Sequence, residues 1–330
     1  MLTTFLATLT PLMTLMLCIA IGFGVHKTHL LPENAGKVMA KLLTWVFYPA
    51  LSFMTMARNC TVETMKTHGT NMLLSACCVA VAMAIAIPLS RLFAKKGSYE
   101  LGVYRYALTF ANSGYMGDPL VLAIFGDVGL AYYKFYSLFP SLVIYSWGVS
   151  QMIPAEHSKG SFLKKVLTPP TVAMLVGMVF GLTGLTKYLP TFFTGALDSL
   201  KACMGPVAML LAGFTVAAYS VPSMLKKKKV YVASVLRLTV LPAVLVASLF
   251  VIKTLANAAF SLNISAAVLF LCFIYSAMPL GLNTVVFPAA YGGDPETGAS
   301  MTLISSVLSL ATIPLLFALM VLLFGEVRFA

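Results

Sequence analysis

Stretches of about twenty apolar residues follow one another along nearly the whole chain, separated only by short polar turns. A run of that length crosses the hydrocarbon core of a bilayer as a helix. Lipid leaves it no other regular choice for a single segment, because each amide and carbonyl must be bonded within the segment. Cutting at charge clusters and turn residues predicts ten spans, at about 3–25, 36–57, 69–93, 103–125, 129–151, 168–186, 193–219, 230–252, 264–290 and 299–324. Composition agrees: 60% of residues are hydrophobic and 10% charged, against roughly 25% charged in a soluble domain. The expected fold class is an all-α polytopic membrane protein. The first stretch is long enough to span and has no basic leader, so no cleavable signal peptide is expected.

A net charge of +12 raises the question of nucleic acid, but its placement answers it. With the N-terminus outside, the inner loops and flanks hold Lys27, Lys37, Lys41, Arg91, Lys95, Lys96, Arg105, Lys159, Lys164, Lys165, Lys226 to Lys229 and Arg237. Those are 15 of the 22 basic residues, leaving 7 for the other side. This is the positive-inside asymmetry, and it predicts an inner-membrane protein with both termini outside and no nucleic-acid partner. The Lys226–Lys229 run reads as a cytoplasmic anchor attracted to anionic lipid. Arg105 and Arg237 fall about a turn inside the inner interface, where long side chains reach back to water. Asp198 and Lys201, three residues apart, are expected to pair on one helix face.

Catalysis finds no motif here. Phosphate loops, His-Glu-x-x-His and Gly-x-Ser-x-Gly turns do not occur in the sequence. The four histidines fall in loops or at span ends. The six cysteines form no Cys-x-x-Cys pair and read as small core hydrophobes, so no metal site and no cofactor is expected.

Prolines punctuate the two halves at matching intervals. Pro32 is followed 17 residues later by Pro49, and Pro190 is followed 16 later by Pro206. Pro49 to Pro119 is 70 residues and Pro206 to Pro279 is 73. Each half holds five expected spans, and an odd number turns the second half over in the membrane. The organisation predicted is therefore two inverted five-helix repeats, 1–151 and 168–330, joined by a cytoplasmic connector at 152–167. Gly177-x-x-x-Gly181 in the sixth span suits close helix packing.

Two spans at corresponding places are interrupted. The fourth reads Phe110-Ala-Asn112-Ser113-Gly114-Tyr-Met-Gly117-Asp118-Pro119, and the ninth reads Ala277-Met-Pro279-Leu-Gly281-Leu-Asn283-Thr284. Glycine lets the backbone open and a ligand approach, and proline withholds an amide and breaks the turn before it. Asn112, Ser113 and Asn283 carry donors and acceptors that are costly in lipid unless bonded. Paired breaks of this kind are the sequence mark of a secondary transporter's binding site. Each creates a helix start whose amides favour an anion, and no ring of carboxylates is present to hold a cation. Asn112, Ser113, Gly114, Gly117, Pro119, Pro279, Gly281 and Asn283 are the expected substrate-binding residues. Asp118 has two readings: a helix cap, since Asp-Pro is a helix-start signature, or a proton-coupling carboxylate.

On these motifs, and on Tyr291-Gly-Gly-Asp294 running into Ser305-Ser-Val-Leu-Ser309-Leu-Ala-Thr-Ile-Pro314, the chain resembles the auxin efflux carrier family. That family includes plant auxin exporters and bacterial carriers for malate or malonate. The resemblance implies ten helices in two inverted repeats, with helices 4 and 9 broken and crossing at mid-membrane. It also implies a scaffold of helices 1, 2, 6 and 7, often dimeric through helices 2 and 7, against which helices 3–5 and 8–10 slide. Ala111 stands where the plant exporters have proline, and the long cytoplasmic loop of some plant members is absent. The function expected is secondary active transport of small organic anions. The alternatives are an anion channel and a sodium-coupled bile-acid-type symporter, whose crossings would call for carboxylates that the ninth span lacks.

Overall fold

The computed structural model describes residues 2–158, 167–261 and 264–325. Lys159, Lys164 and Lys165 of the connector lie outside the described residues. All the described regular elements are helical. In order they are α1 (Leu2–Lys27), α2 (Ala35–Asn59), α3 (Val62–Ser90), α4 (Tyr99–Thr109), α5 (Asp118–Val143), α6 (Pro169–Thr183), α7 (Thr191–Ala217), α8 (Lys228–Phe260), α9 (Ala267–Ala277), α10 (Asn283–Tyr291) and α11 (Pro295–Phe324), with short turns between them. Six of the described helices are continuous, long and apolar enough to cross a membrane: α1, α2, α3, α7, α8 and α11.

The interruptions fall where the sequence places them. Helix α4 ends at Thr109, Phe110 is extended, and a π turn from Ser113 to Gly117 leads into α5. Gly126, at φ 67°, then folds α5 into two limbs, a left-handed conformation that costs glycine little. Further on, α9 stops at Ala277, Met278 is extended, and α10 starts at Asn283. Three of the four described π turns have a local cause. Those at Leu43–Phe47, Ser113–Gly117 and Leu236–Val240 each end two residues ahead of a proline: Pro49, Pro119 and Pro242. A helical proline has no amide and its ring crowds the carbonyl four residues back. Those carbonyls belong to Trp45, Tyr115 and Leu238, inside the π turns, where one extra residue makes room.

Small residues set the tightest packing. Helix α6 lies against α2 so closely that a Cβ on Gly177 would stand 2.5 Å from the Phe53 carbonyl oxygen, and one on Gly181 would stand 2.5 Å from that of Cys60. The Gly-x-x-x-Gly expectation is met there. Helix α1 packs along α7. At the centre, α9 and its extension are buried continuously from Val268 to Leu282. The outer surface is apolar, as lipid requires, with Leu17, Val179, Leu255 and Leu322 exposed.

Two charge expectations are corrected. Asp198 does not pair with Lys201: it takes a bidentate bond from Arg58, at 3.0 and 2.7 Å, and Lys201 pairs with Asp127. Partners on neighbouring helices win over a same-helix neighbour because they meet the carboxylate head-on. Arg237 does not reach the interface; it is 1% exposed, one of the largest fully buried side chains.

Candidate substrate site

The two interruptions meet. Ala111 and Leu280 form an isolated antiparallel bridge, and the Asn112 amide donates to the Pro279 carbonyl at 2.9 Å. Each broken segment thus satisfies part of the other's exposed backbone, which lipid could not. Leu280 donates its own amide to Ser305 Oγ of α11 at 3.0 Å. Gly281 sits against this bridge, 3.7 Å from the Asn112 Cα by the Cβ it lacks.

Beyond the bridge the helix restarts at Ser113. The amides of Met116 and Gly117 both turn back to the Asn112 carbonyl, at 3.2 and 3.0 Å. Ser113, Gly114 and Tyr115 have no helical carbonyl one turn earlier, so their amides form the positive end of this helix. In the second segment the restart is tighter. Thr284 donates to Gly281, and Val285 and Val286 both donate to Leu282, at 2.9–3.0 Å. Asn283 gives its side-chain amide to the Tyr106 hydroxyl at 2.8 Å.

Gly114 and Gly117 lie under tyrosines: a Cβ on Gly114 would come 2.5 Å from the Tyr48 hydroxyl, and one on Gly117 would collide with that of Tyr133. Tyr133 donates to the Ser113 carbonyl at 3.2 Å. Pro119 packs against Gly205 of α7. Asp118 is 1% exposed and does not cap a helix. The helix begins five residues earlier than the Asp-Pro signature suggests, so no free amides await that carboxylate. Instead it forms a buried ion pair with Lys134, and its second oxygen has no partner among the described residues.

Sequence reasoning missed Lys134, which it counted among outer charges. It is 3% exposed, and its ammonium stands 4.3 Å from the centre of the Tyr48 ring. The available signal was its place several residues inside an apolar stretch, where a charge is a functional candidate by default. A small polar recess of about 40 Å³ touches Lys134, Tyr48, Ser52, Ser137 and Tyr145. It shares Tyr48 and Tyr145 with a larger cavity of about 470 Å³. That cavity runs between Thr44 and Tyr48 of α2, Leu211 of α7, and Tyr115, Tyr145 and Asn283. Among the expected binding residues, Asn283 borders it; Asn112 and Ser113 are buried at the crossing behind.

Spanning helices interrupted twice at one buried crossing, beside a cavity large enough for a small solute, are the build of a membrane transporter. The membrane transport protein family matches residues 7–161 and 154–317. An uncharacterized transporter of Methanocaldococcus jannaschii is 23% identical over 311 residues, covering 91% of this chain and 94% of its own. One of Methanothermobacter thermautotrophicus is 24% identical over 322 residues, covering 94% and 98%. The chain belongs to this auxin efflux carrier-like family of membrane transport proteins.

Proposed function

We propose that this protein is a secondary carrier that moves small organic anions, carboxylates foremost, by alternating access. The observation that carries the reading is the antiparallel crossing of the two broken segments beside a cavity that separates two groups of helices. Helices α1, α2, α6 and α7 form the scaffold. The transport group is α3 to α5 and α8 to α11, and it slides so that the crossing faces each side in turn. The halves 1–151 and 168–330 are inverted repeats, which accounts for ten spans and for the opposed run of the two breaks. A volume of about 470 Å³ lies within the roughly 300–1,000 Å³ of ordinary ligand sites.

Anions are favoured for two reasons. The amides of Ser113, Gly114 and Tyr115 end a helix dipole at the crossing, and Asp118, the buried carboxylate beside it, is neutralised by Lys134, so it does not oppose an anion there. Asn112, Ser113 and Asn283 bond the carboxylate, while Pro279 and the glycines Gly114, Gly117 and Gly281 keep the backbone open. The carrier sits in the cytoplasmic membrane with both termini outside, as a homodimer through α2 and α7, and needs no cofactor. A thermal-shift screen of the purified protein against mono- and dicarboxylic acids tests the substrate class. An acid at ~100 times its dissociation constant adds ~2.7 kcal/mol of stability. Stabilisation by carboxylates without sodium is expected; a response only to bile-acid-like amphiphiles with sodium would contradict it.

A further inference from the structure

A guanidinium without an acceptor lies one side-chain layer behind the crossing. Arg237 occupies the π turn Leu236–Val240 of α8, and that turn packs against α4 and α9, the leading limbs of the two broken segments, and against α11. It is 1% exposed, and Nε, Nη1 and Nη2 find no hydrogen-bond partner among the described residues. Its electrostatic neighbours are the hydroxyls of Tyr275 and Tyr133 and the thiol of Cys272. Of these, Tyr133 is already committed as donor to the Ser113 carbonyl, at the first break.

No described carboxylate balances this charge. Asp118 is held by Lys134, Asp127 by Lys201, Asp198 by Arg58 and Glu296 by Lys227. Asp294 caps the Thr297 amide. Arginine keeps its proton in any protein setting, so the charge cannot be removed by titration. Lys134 and Asp118 cancel each other at the crossing. Arg237 therefore sets the net sign there, and with water excluded its field is weakly screened over that short range.

We propose that Arg237 is the charge that makes the crossing select anions: a positioning residue, acting through space on the solute held at Asn112, Ser113 and Asn283. The substrate supplies the missing negative charge, so the loaded carrier is electrically balanced and the empty one is not. The same field opposes a sodium ion at the crossing. This inference rests on the proposal that the crossing is the solute site.

The test compares wild type, Arg237→Lys and Arg237→Met as purified full-length protein. Melting temperature is read with malonate, malate, phosphate, chloride and the neutral malonamide as probes. Wild type should be stabilised by an anionic probe and not by malonamide, and R237K should keep at least half that shift. R237M should lose it while melting, without ligand, at or above the wild-type temperature, because an unbalanced charge has been removed. A ligand-free R237M that melts well below wild type would overturn the proposal, since Arg237 would then have a structural partner. An undiminished anion shift in R237M would overturn it too. A wild type answering only to phosphate or chloride would refute the carboxylate reading and leave the role of Arg237 standing. A wild type answering to no anion would refute both.

Discussion

The two breaks are alike in sequence logic and differ in how they are held open. The first is supported by charge. Its helix restarts in a π turn whose leading amides have no helical acceptor, and Asp118 and Lys134 form a buried ion pair just beyond. The second is supported by backbone. Pro279 and an extended Met278 stop α9, Ser305 takes the Leu280 amide, and the restart closes at once on Gly281 and Leu282. No ionisable group sits between Ala277 and Asn283. One break thus presents a polar, adjustable end, and the other a preset wall. A site built this way places its buried ion pair in the first half of the chain and its rigid wall in the second.

Removing the charge support should produce the largest effect on stability. Lys134→Met leaves Asp118 buried and unpaired, which costs ~3–5 kcal/mol, measured by unfolding in detergent. Adding Asp118→Asn should recover most of it, because the orphaned charge goes with it. If Lys134→Met were neutral, the first break would not depend on the pair. The counterpart at the second break is Ser305→Ala, which strands the buried Leu280 amide and should cost ~1–3 kcal/mol. A loss at Ser305 larger than at Lys134 would reverse the comparison. The smallest change is Tyr133→Phe. It removes the bond to the Ser113 carbonyl and should lower stability by ~0.5–1.5 kcal/mol, the net worth of one ordinary hydrogen bond.

Much of this was legible in the sequence. Proline and glycine within apolar stretches located both breaks, and the Gly177–Gly181 spacing anticipated the close seam between α2 and α6. Those signals are local: each acts on its own backbone or turn. What the sequence hid was pairing across distance. Asp118 and Lys134 are sixteen residues apart, and they meet because Gly126 folds the chain back between them. Asp198 and Lys201 looked like natural partners at three residues' separation, yet each is taken by a residue from another helix. Arg237 lay close enough to the expected interface to reach water; the packing of α4, α9 and α11 against its turn closes that route. The cavity-lining tyrosines Tyr48, Tyr115 and Tyr145 gave no signal either, since a membrane-embedded tyrosine is as often packing as function.

The central claim is that the paired breaks build the transport site, and counterflow tests it most directly. Wild type and Pro279→Ala would be reconstituted into liposomes preloaded with an unlabelled carboxylate chosen from the stability screen. Uptake of the labelled acid would then be followed. Wild type should show transient accumulation, the mark of a carrier exchanging solute. Pro279→Ala restores an amide and lets α9 run on towards Asn283, so it should insert and melt as a folded protein yet lose at least about tenfold in rate, ~1.4 kcal/mol or more. A folded Pro279→Ala protein that exchanges at the wild-type rate would contradict the account.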